Sequence, residues 1–275
     1  MRKLILTYPN TFLLLLGGLL TTFALIISGL IPIPIPHFKD YFPFMGTILI
    51  VLATWVMYRM EKRDLSALGF DLQRRNFLFL PLGFLLGAVA FILGFYATVL
   101  LLGRHLQFNH RVDYRGMLWN LYWILPAAAV QEFLVRGYCF KKMVEMRGAV
   151  TGIIVFGLIF ISTHDFWNGN LIQILIYSLT LFIGHLLFAT ALLRSGTIYF
   201  AIGLHWGNNF ANSNLFTESS SPTSLFFIDN PSQSSIGLLL YLLVFLTANS
   251  GFILLTAGIW KWKPGARAEQ QPQTN

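Results

Sequence analysis

The chain has 275 residues, 56% of them hydrophobic and 11% charged, a composition far too apolar for a soluble domain. Its net charge of +8 would suggest nucleic acid on a soluble protein. Here, with no basic module interleaved with aromatics, the charge reads as basic loops at a membrane surface, which excludes a nucleic-acid partner. The single cysteine, Cys139, excludes an intramolecular disulfide and a multi-cysteine zinc site.

Apolar runs of about 20 residues recur along nearly the whole length, each long enough to cross a bilayer core of roughly 30 Å as a helix. They predict an all-α polytopic integral membrane protein with about eight transmembrane helices, in contact with membrane lipid. The first span, Thr11 to Ile31, follows Arg2 and Lys3 but is too long for a signal peptide and has no small-residue cleavage site. Pro32, Pro34 and Pro36 then take the chain out of the membrane as an extended connector. The second span runs from Tyr41 to about Tyr58, a charged loop from Arg59 to Arg75 follows, and the third span covers Phe77 to Leu102. A polar loop, Gly103 to Gly116, carries His105 and His110 without a partner pattern.

The fourth span, Met117 to about Met143, ends before a turn at Gly148, and the fifth runs from Ala149 to Phe166. Asn168-Gly169-Asn170 is a turn signal. The sixth span is Leu171 to Leu193, closed by Arg194, Ser195 and Gly196, and the seventh is Thr197 to about Phe216. After a Ser-rich loop comes the eighth, Ile236 to Trp260. Residues 1–263 thus read as a single transmembrane domain and 264–275 as a disordered polar tail. An even number of spans puts both ends on one side. Of the 19 lysines and arginines, 15 fall on that side and 4 on the other, so both termini are expected in the cytoplasm.

Three spans carry polar pairs four residues apart. In Gln131-Glu132-Phe133-Leu134-Val135-Arg136, Glu132 and Arg136 share one helix face, where carboxylate and guanidinium neutralise each other out of water. Phe160 precedes His164 by four residues, and His205 precedes Asn209 by four. Glu132 lies 16 residues before Gly148 and His164 lies 16 after it, so a hairpin turning at Gly148 puts the two at similar depth. His205 joins them only if its helix packs beside that hairpin.

Such a cluster supports two chemistries. A carboxylate and a histidine can take a proton from water, so that the water attacks an amide carbonyl while the second histidine and Asn209 donate to the oxyanion. Alternatively, His164, His205 and Glu132 can hold a divalent metal such as zinc, which would lower the pKa of a bound water. The bland readings are a structural Glu132–Arg136 pair, core histidines satisfied by hydrogen bonds, or a proton pathway in a transporter. His185, mid-span and outside every pair, reads as an interhelical hydrogen bond, and Asp165 either orients His164 or faces water.

The strings QEFLVRG, FISTH and HWGNN, in that order on three helices, resemble the EExxxR, FxxxH and HxxxN motifs of the CPBP intramembrane proteases. That family includes the type II CAAX prenyl endopeptidases and the bacterial Abi or bacteriocin-processing proteins. The resemblance covers a core from about residue 117 to 216. It implies an endopeptidase of the bacterial plasma membrane that cuts a membrane-associated peptide or a prenylated protein. Family members are often labelled metalloproteases and are also argued to work without metal. The implied catalytic residues are Glu132, His164, His205 and Asn209, with Gln131, Arg136 and Phe160 in support. One position departs from the pattern. Where the family has two adjacent glutamates this chain has Gln131 and Glu132, and the residue usually given the base role is the one replaced. A glutamine holds water but does not accept its proton. Either Glu132 or His164 takes over as base, or the chain is a non-catalytic relative that binds a membrane peptide or partner protein.

Overall fold

The computed structural model describes residues 9–30, 44–164, 169–228 and 237–262. The Arg2-Lys3 start, the Pro32, Pro34 and Pro36 connector, Tyr41, Asp165, Phe166 and the tail at 264–275 lie outside them. Helix α1 is Pro9–Leu30 and α2 is Met45–Met60. A 3-10 turn at Leu65–Leu68 and a helical turn at Arg74–Phe77 lead into α3, Phe79–Leu101, whose 23 residues reach roughly 34 Å. Then come α4, Tyr114–Arg136, α5, Tyr138–Arg147, and α6, Ala149–Ser162. The chain continues through α7, Leu171–Ser195, α8, Ile198–Phe210, a wide π turn at Ala211–Leu215, and α9, Leu238–Lys261.

By length and composition three helices are apolar enough to cross a membrane, at Arg74–Leu101, Leu171–Ser195 and Leu238–Lys261. Shorter apolar helices at Pro9–Ala24, Met45–Met60 and Ala149–Ser162 accompany them. Among the described residues, then, three helices rather than about eight meet the length and composition of a span. The outer faces carry large apolar side chains such as Leu85, Leu93, Leu239 and Leu254, the surface of a bundle whose solvent is hydrocarbon. Apolar helices and their lipid-like surface make this an integral membrane protein.

The fourth expected span is two helices. Gly137 breaks it, with a Cβ at that position falling 2.1 Å from the carbonyl oxygen of Phe133, so only glycine permits the turn from α4 into α5. The loops read from sequence as irregular also hold structure. β1, Leu106–Phe108, pairs antiparallel with β3, Phe226–Ile228, in the register Leu106 to Ile228, while β2, Phe216–Thr217, pairs parallel with β3. This three-stranded patch qualifies an otherwise all-α fold, and it takes Phe216 out of the seventh expected span.

At the centre is α8, packed against α3, α4 and α7. Hydrocarbon gives no hydrophobic drive between helices, so close backbone approach through small residues has to supply the packing. Two Gly-x-x-x-Gly pairs interlock. A Cβ on Gly87 of α3 would sit 2.1 Å from the Leu204 carbonyl oxygen, and one on Gly207 of α8 would sit 1.9 Å from that of Phe84. His205 lies between Gly203 and Gly207, so this contact sets its depth. The polar signals between helices act as caps. Asn170 and Gln173 form a reciprocal capping box at the start of α7, and Thr197 caps α8 through the Tyr199 N–H.

Candidate active site

Helices α4, α6, α7 and α8 converge on one buried polar cluster. Glu132 and Arg136, one turn apart on α4, are both fully buried, and Arg136 Nη1 donates to Glu132 Oε1 at 3.0 Å. The same Oε1 accepts from His205 Nδ1 of α8 at 2.8 Å. The packing of α8 beside the α4–α6 pair, which the sequence left conditional, brings His205 to Glu132.

The hydrogen bond fixes which nitrogen of His205 faces Glu132. A carboxylate oxygen only accepts, so Nδ1 carries a proton, and in the neutral ring Nε2 holds the lone pair. Glu132 Oε2 is buried with no protein partner among the described residues, which leaves the carboxylate one open acceptor position.

Phe160 of α6 is the apolar hub. Its ring lies 4.7 Å from the Arg136 guanidinium carbon, and its centroid is 4.7 Å from that of His164 and 6.1 Å from that of His205. His164 sits just beyond the end of α6, partly exposed, with Nδ1 donating to the Phe160 carbonyl oxygen at 2.8 Å. Its Nε2 is therefore the nitrogen free for chemistry. His164 borders Phe160, but no bond joins it to Glu132 among the described residues. Asn209, one turn beyond His205 and partly exposed, accepts from Asn208 Nδ2 at 3.0 Å through Oδ1, and its carboxamide N–H groups have no partner among the described residues. Gln131 is partly buried, about 100° around α4 from Glu132, and no hydrogen bond reaches it among the described residues.

Two contributors carry none of the three motifs, and both lie on α7. His185 Nδ1 is 2.8 Å from Arg136 Nη2, and its Nε2 is 3.0 Å from the Ile153 carbonyl oxygen of α6. The Phe188 ring centroid lies 5.3 Å from the Arg136 guanidinium carbon, and the ring stacks on that of His205 at 5.0 Å with a 13° interplanar angle. A mid-span histidine was the signal for the first. Phe188, among so many apolar residues, left no signal at all. Fully buried, Arg136 contacts two aromatic rings and two hydrogen-bonded partners, so it belongs to the protein interior and not among the charges of a basic loop.

The donor set does not fit a metal ion as arranged. Glu132 and His205 are hydrogen-bonded to each other instead of facing a common point, and a cation on Glu132 would lie beside a guanidinium that shares its oxygen. No group of three or more His, Cys, Asp or Glu side chains with ligand geometry occurs among the described residues.

Residues 114–211 match the family model described as type II CAAX prenyl endopeptidase Rce1-like. The matched stretch runs from the start of α4 to the residue after α8 and contains all three motif strings. It bears out the resemblance to the CPBP/CAAX proteases. No curated protein and no solved structure matches the chain.

Proposed function

We propose, on the premise that this chain belongs through its residues 114–211 to the CPBP/CAAX protease family, that it is an intramembrane endopeptidase cutting a membrane-associated or prenylated peptide. One observation carries the reading. A fully buried carboxylate joins an arginine and a histidine inside an apolar bundle, and it holds that histidine in the tautomer whose outer nitrogen accepts a proton.

The lost glutamate makes the choice of base the central question. Protonating Glu132 would break its pair with Arg136 and strand a buried guanidinium, a loss of about 3–5 kcal/mol. His205 faces no such penalty, because the imidazolium formed at Nε2 stays beside the Glu132 carboxylate. In this reading His205 Nε2 takes a proton from water as the water oxygen bonds to the scissile carbonyl carbon. The oxyanion that results accepts from the Asn209 carboxamide, while His164 Nε2, a lone pair in the neutral ring, accepts from the attacking water. On collapse the C–N bond breaks, and the proton on His205 passes to the leaving amine. Gln131 hydrogen-bonds the water without taking its proton.

The apolar surroundings favour a lipid-bearing peptide as substrate. An extended peptide whose lipid group stays in the hydrocarbon can bring its amide to a site enclosed by helices. The test is mass spectrometry of a prenylated CAAX-type peptide and a leader-peptide pool incubated with purified protein. A new carboxyl terminus carrying oxygen from labelled water supports the reading, and intact peptides in both sets count against it. Gln131 itself favours a second reading, a non-catalytic relative that binds a membrane peptide through the same cluster.

A further inference from the structure

The peptidase reading uses side chains of α4, α6 and α8, yet the structure gives α7 a direct hold on the same group. His185 is fully buried, and each ring nitrogen has one partner. The Ile153 carbonyl oxygen can only accept, so Nε2 donates to it. The Arg136 guanidinium offers only N–H groups, so Nδ1, 2.8 Å from Nη2, must be the lone-pair nitrogen. An imidazolium here would set two cations and two N–H groups against each other. Geometry alone therefore specifies a neutral imidazole with its proton on Nε2.

We infer that His185 is a positioning residue of this site, a neutral imidazole that anchors the Arg136 guanidinium to the Ile153 carbonyl and thereby fixes the Glu132 carboxylate against His205. The order of contacts is Ile153 oxygen of α6, His185 of α7, Arg136 and Glu132 of α4, and His205 of α8. Arg136 Nε has no partner among the described residues, so the guanidinium is oriented by its two terminal nitrogens alone. Its Nη1 aims at Glu132 while Nη2 holds His185. The Phe160 and Phe188 ring centroids lie 4.7 and 5.3 Å from its central carbon and supply no hydrogen-bond acceptor. Nη2 also reaches the His185 carbonyl oxygen at 3.5 Å, so the ring nitrogen is the nearer of two acceptors on α7 and the one that His185→Ala removes; this shorter bond sets where Arg136 holds Glu132 Oε1 for His205.

The inference rests on the peptidase reading for its catalytic consequence but not for its structural one, and two measurements separate them. The first is the nitrogen spectrum of 15N-imidazole-labelled full-length protein in micelles, with the His185 signals assigned by their absence in His185→Gln. Expected are an unprotonated Nδ1 and a protonated Nε2 on His185 at neutral pH. Expected too is a His205 Nδ1–H signal that shifts in His185→Ala and is retained in His185→Gln, which keeps one acceptor and one donor. A proton on His185 Nδ1, or a His205 signal unmoved in His185→Ala, overturns the inference. The second is steady-state cleavage. Partners that orient the ligands of a metal site typically contribute about 10–100-fold; taking that range for an oriented arginine, His185→Ala should lose as much in kcat with KM nearly unchanged, and His185→Gln should recover most of it. Equal damage from both variants, or a loss confined to KM, overturns it as well. Wild-type protein that cleaves no peptide would sink the peptidase reading, and the imidazole spectra would still decide this one.

Discussion

Removing one partner of the Glu132–Arg136 pair should destabilise the protein far more than removing both. The two side chains are fully buried and 3.0 Å apart. In Arg136→Met the carboxylate keeps only its His205 bond, and in Glu132→Leu the guanidinium keeps only His185. Each single variant leaves an uncompensated buried charge, for which a loss of about 3–5 kcal/mol is expected. The double variant removes both charges and leaves the His185 and His205 rings each short of one hydrogen bond, at about 1–3 kcal/mol apiece. The singles would sum to roughly 6–10 kcal/mol and the double to roughly 2–6, a coupling of several kcal/mol where independent sites would add. Equilibrium unfolding in mixed micelles, followed by circular dichroism across the four proteins, measures it. Singles that each lose less than about 1 kcal/mol and add in the double would refute the low-dielectric pair, since that is how solvent-screened charges behave.

Other predictions follow from the packing and loops. Gly207→Ala drives a Cβ to within 1.9 Å of the Phe84 carbonyl oxygen, so a loss of at least about 1–3 kcal/mol and a lower cleavage rate are expected; Gly18→Ala, which meets nothing within 4 Å, should show neither. Thermal midpoints of the two variants decide this, and equal midpoints would mean that α3 and α8 are further apart. Gly137→Ala should likewise disturb the α4–α5 junction, read as lost protection from limited proteolysis around residues 134–141. The Ser66 hydroxyl and N–H hold the exposed Asp64 carboxyl below its ordinary range. Its contribution is therefore present above about pH 4 and lost as pH falls through the lower folded value. Wild type and Asp64→Ala should differ in midpoint at neutral pH and converge in acid. Because the donor set does not fit a metal, dialysis against a strong chelator should leave cleavage and midpoint unchanged, and a loss restored by zinc would contradict that arrangement.

Much of the site was legible in the sequence because charge inside apolar runs is costly and therefore conspicuous. Glu132, Arg136, His164 and His205 stood out on that ground, and four-residue spacing placed each pair on one helix face. Their convergence depends on α8 lying against α3 and α4, which the small residues at 83, 87, 203 and 207 bring about. That spacing is visible in the sequence as two Gly-x-x-x-Gly pairs, but which helix each would meet is not. The break at Gly137 was hidden for another reason. Hydropathy continues across it, and only the clash with the Phe133 carbonyl distinguishes this glycine from one tolerated inside a helix. The strands at Leu106–Phe108 and Phe226–Ile228 are too short for period-2 alternation to show, and their pairing sets Gln107 opposite Phe227, 120 residues on. Phe188 contributes by geometry alone, stacked on His205 among many other apolar side chains of α7.

The most direct test of His205 as the base that replaces the missing glutamate is cleavage of a quenched fluorescent prenylated CAAX-type peptide. Wild type would be compared with His205→Ala, Glu132→Gln and Gln131→Glu, each confirmed folded by its thermal midpoint. Expected are cleavage by the wild type and a loss of about 10²–10⁴-fold in His205→Ala, with a loss in Glu132→Gln as the histidine is no longer held by a carboxylate. Wild-type protein that is silent while Gln131→Glu cleaves would contradict that assignment, and would mean a scaffold whose chemistry went with the first glutamate.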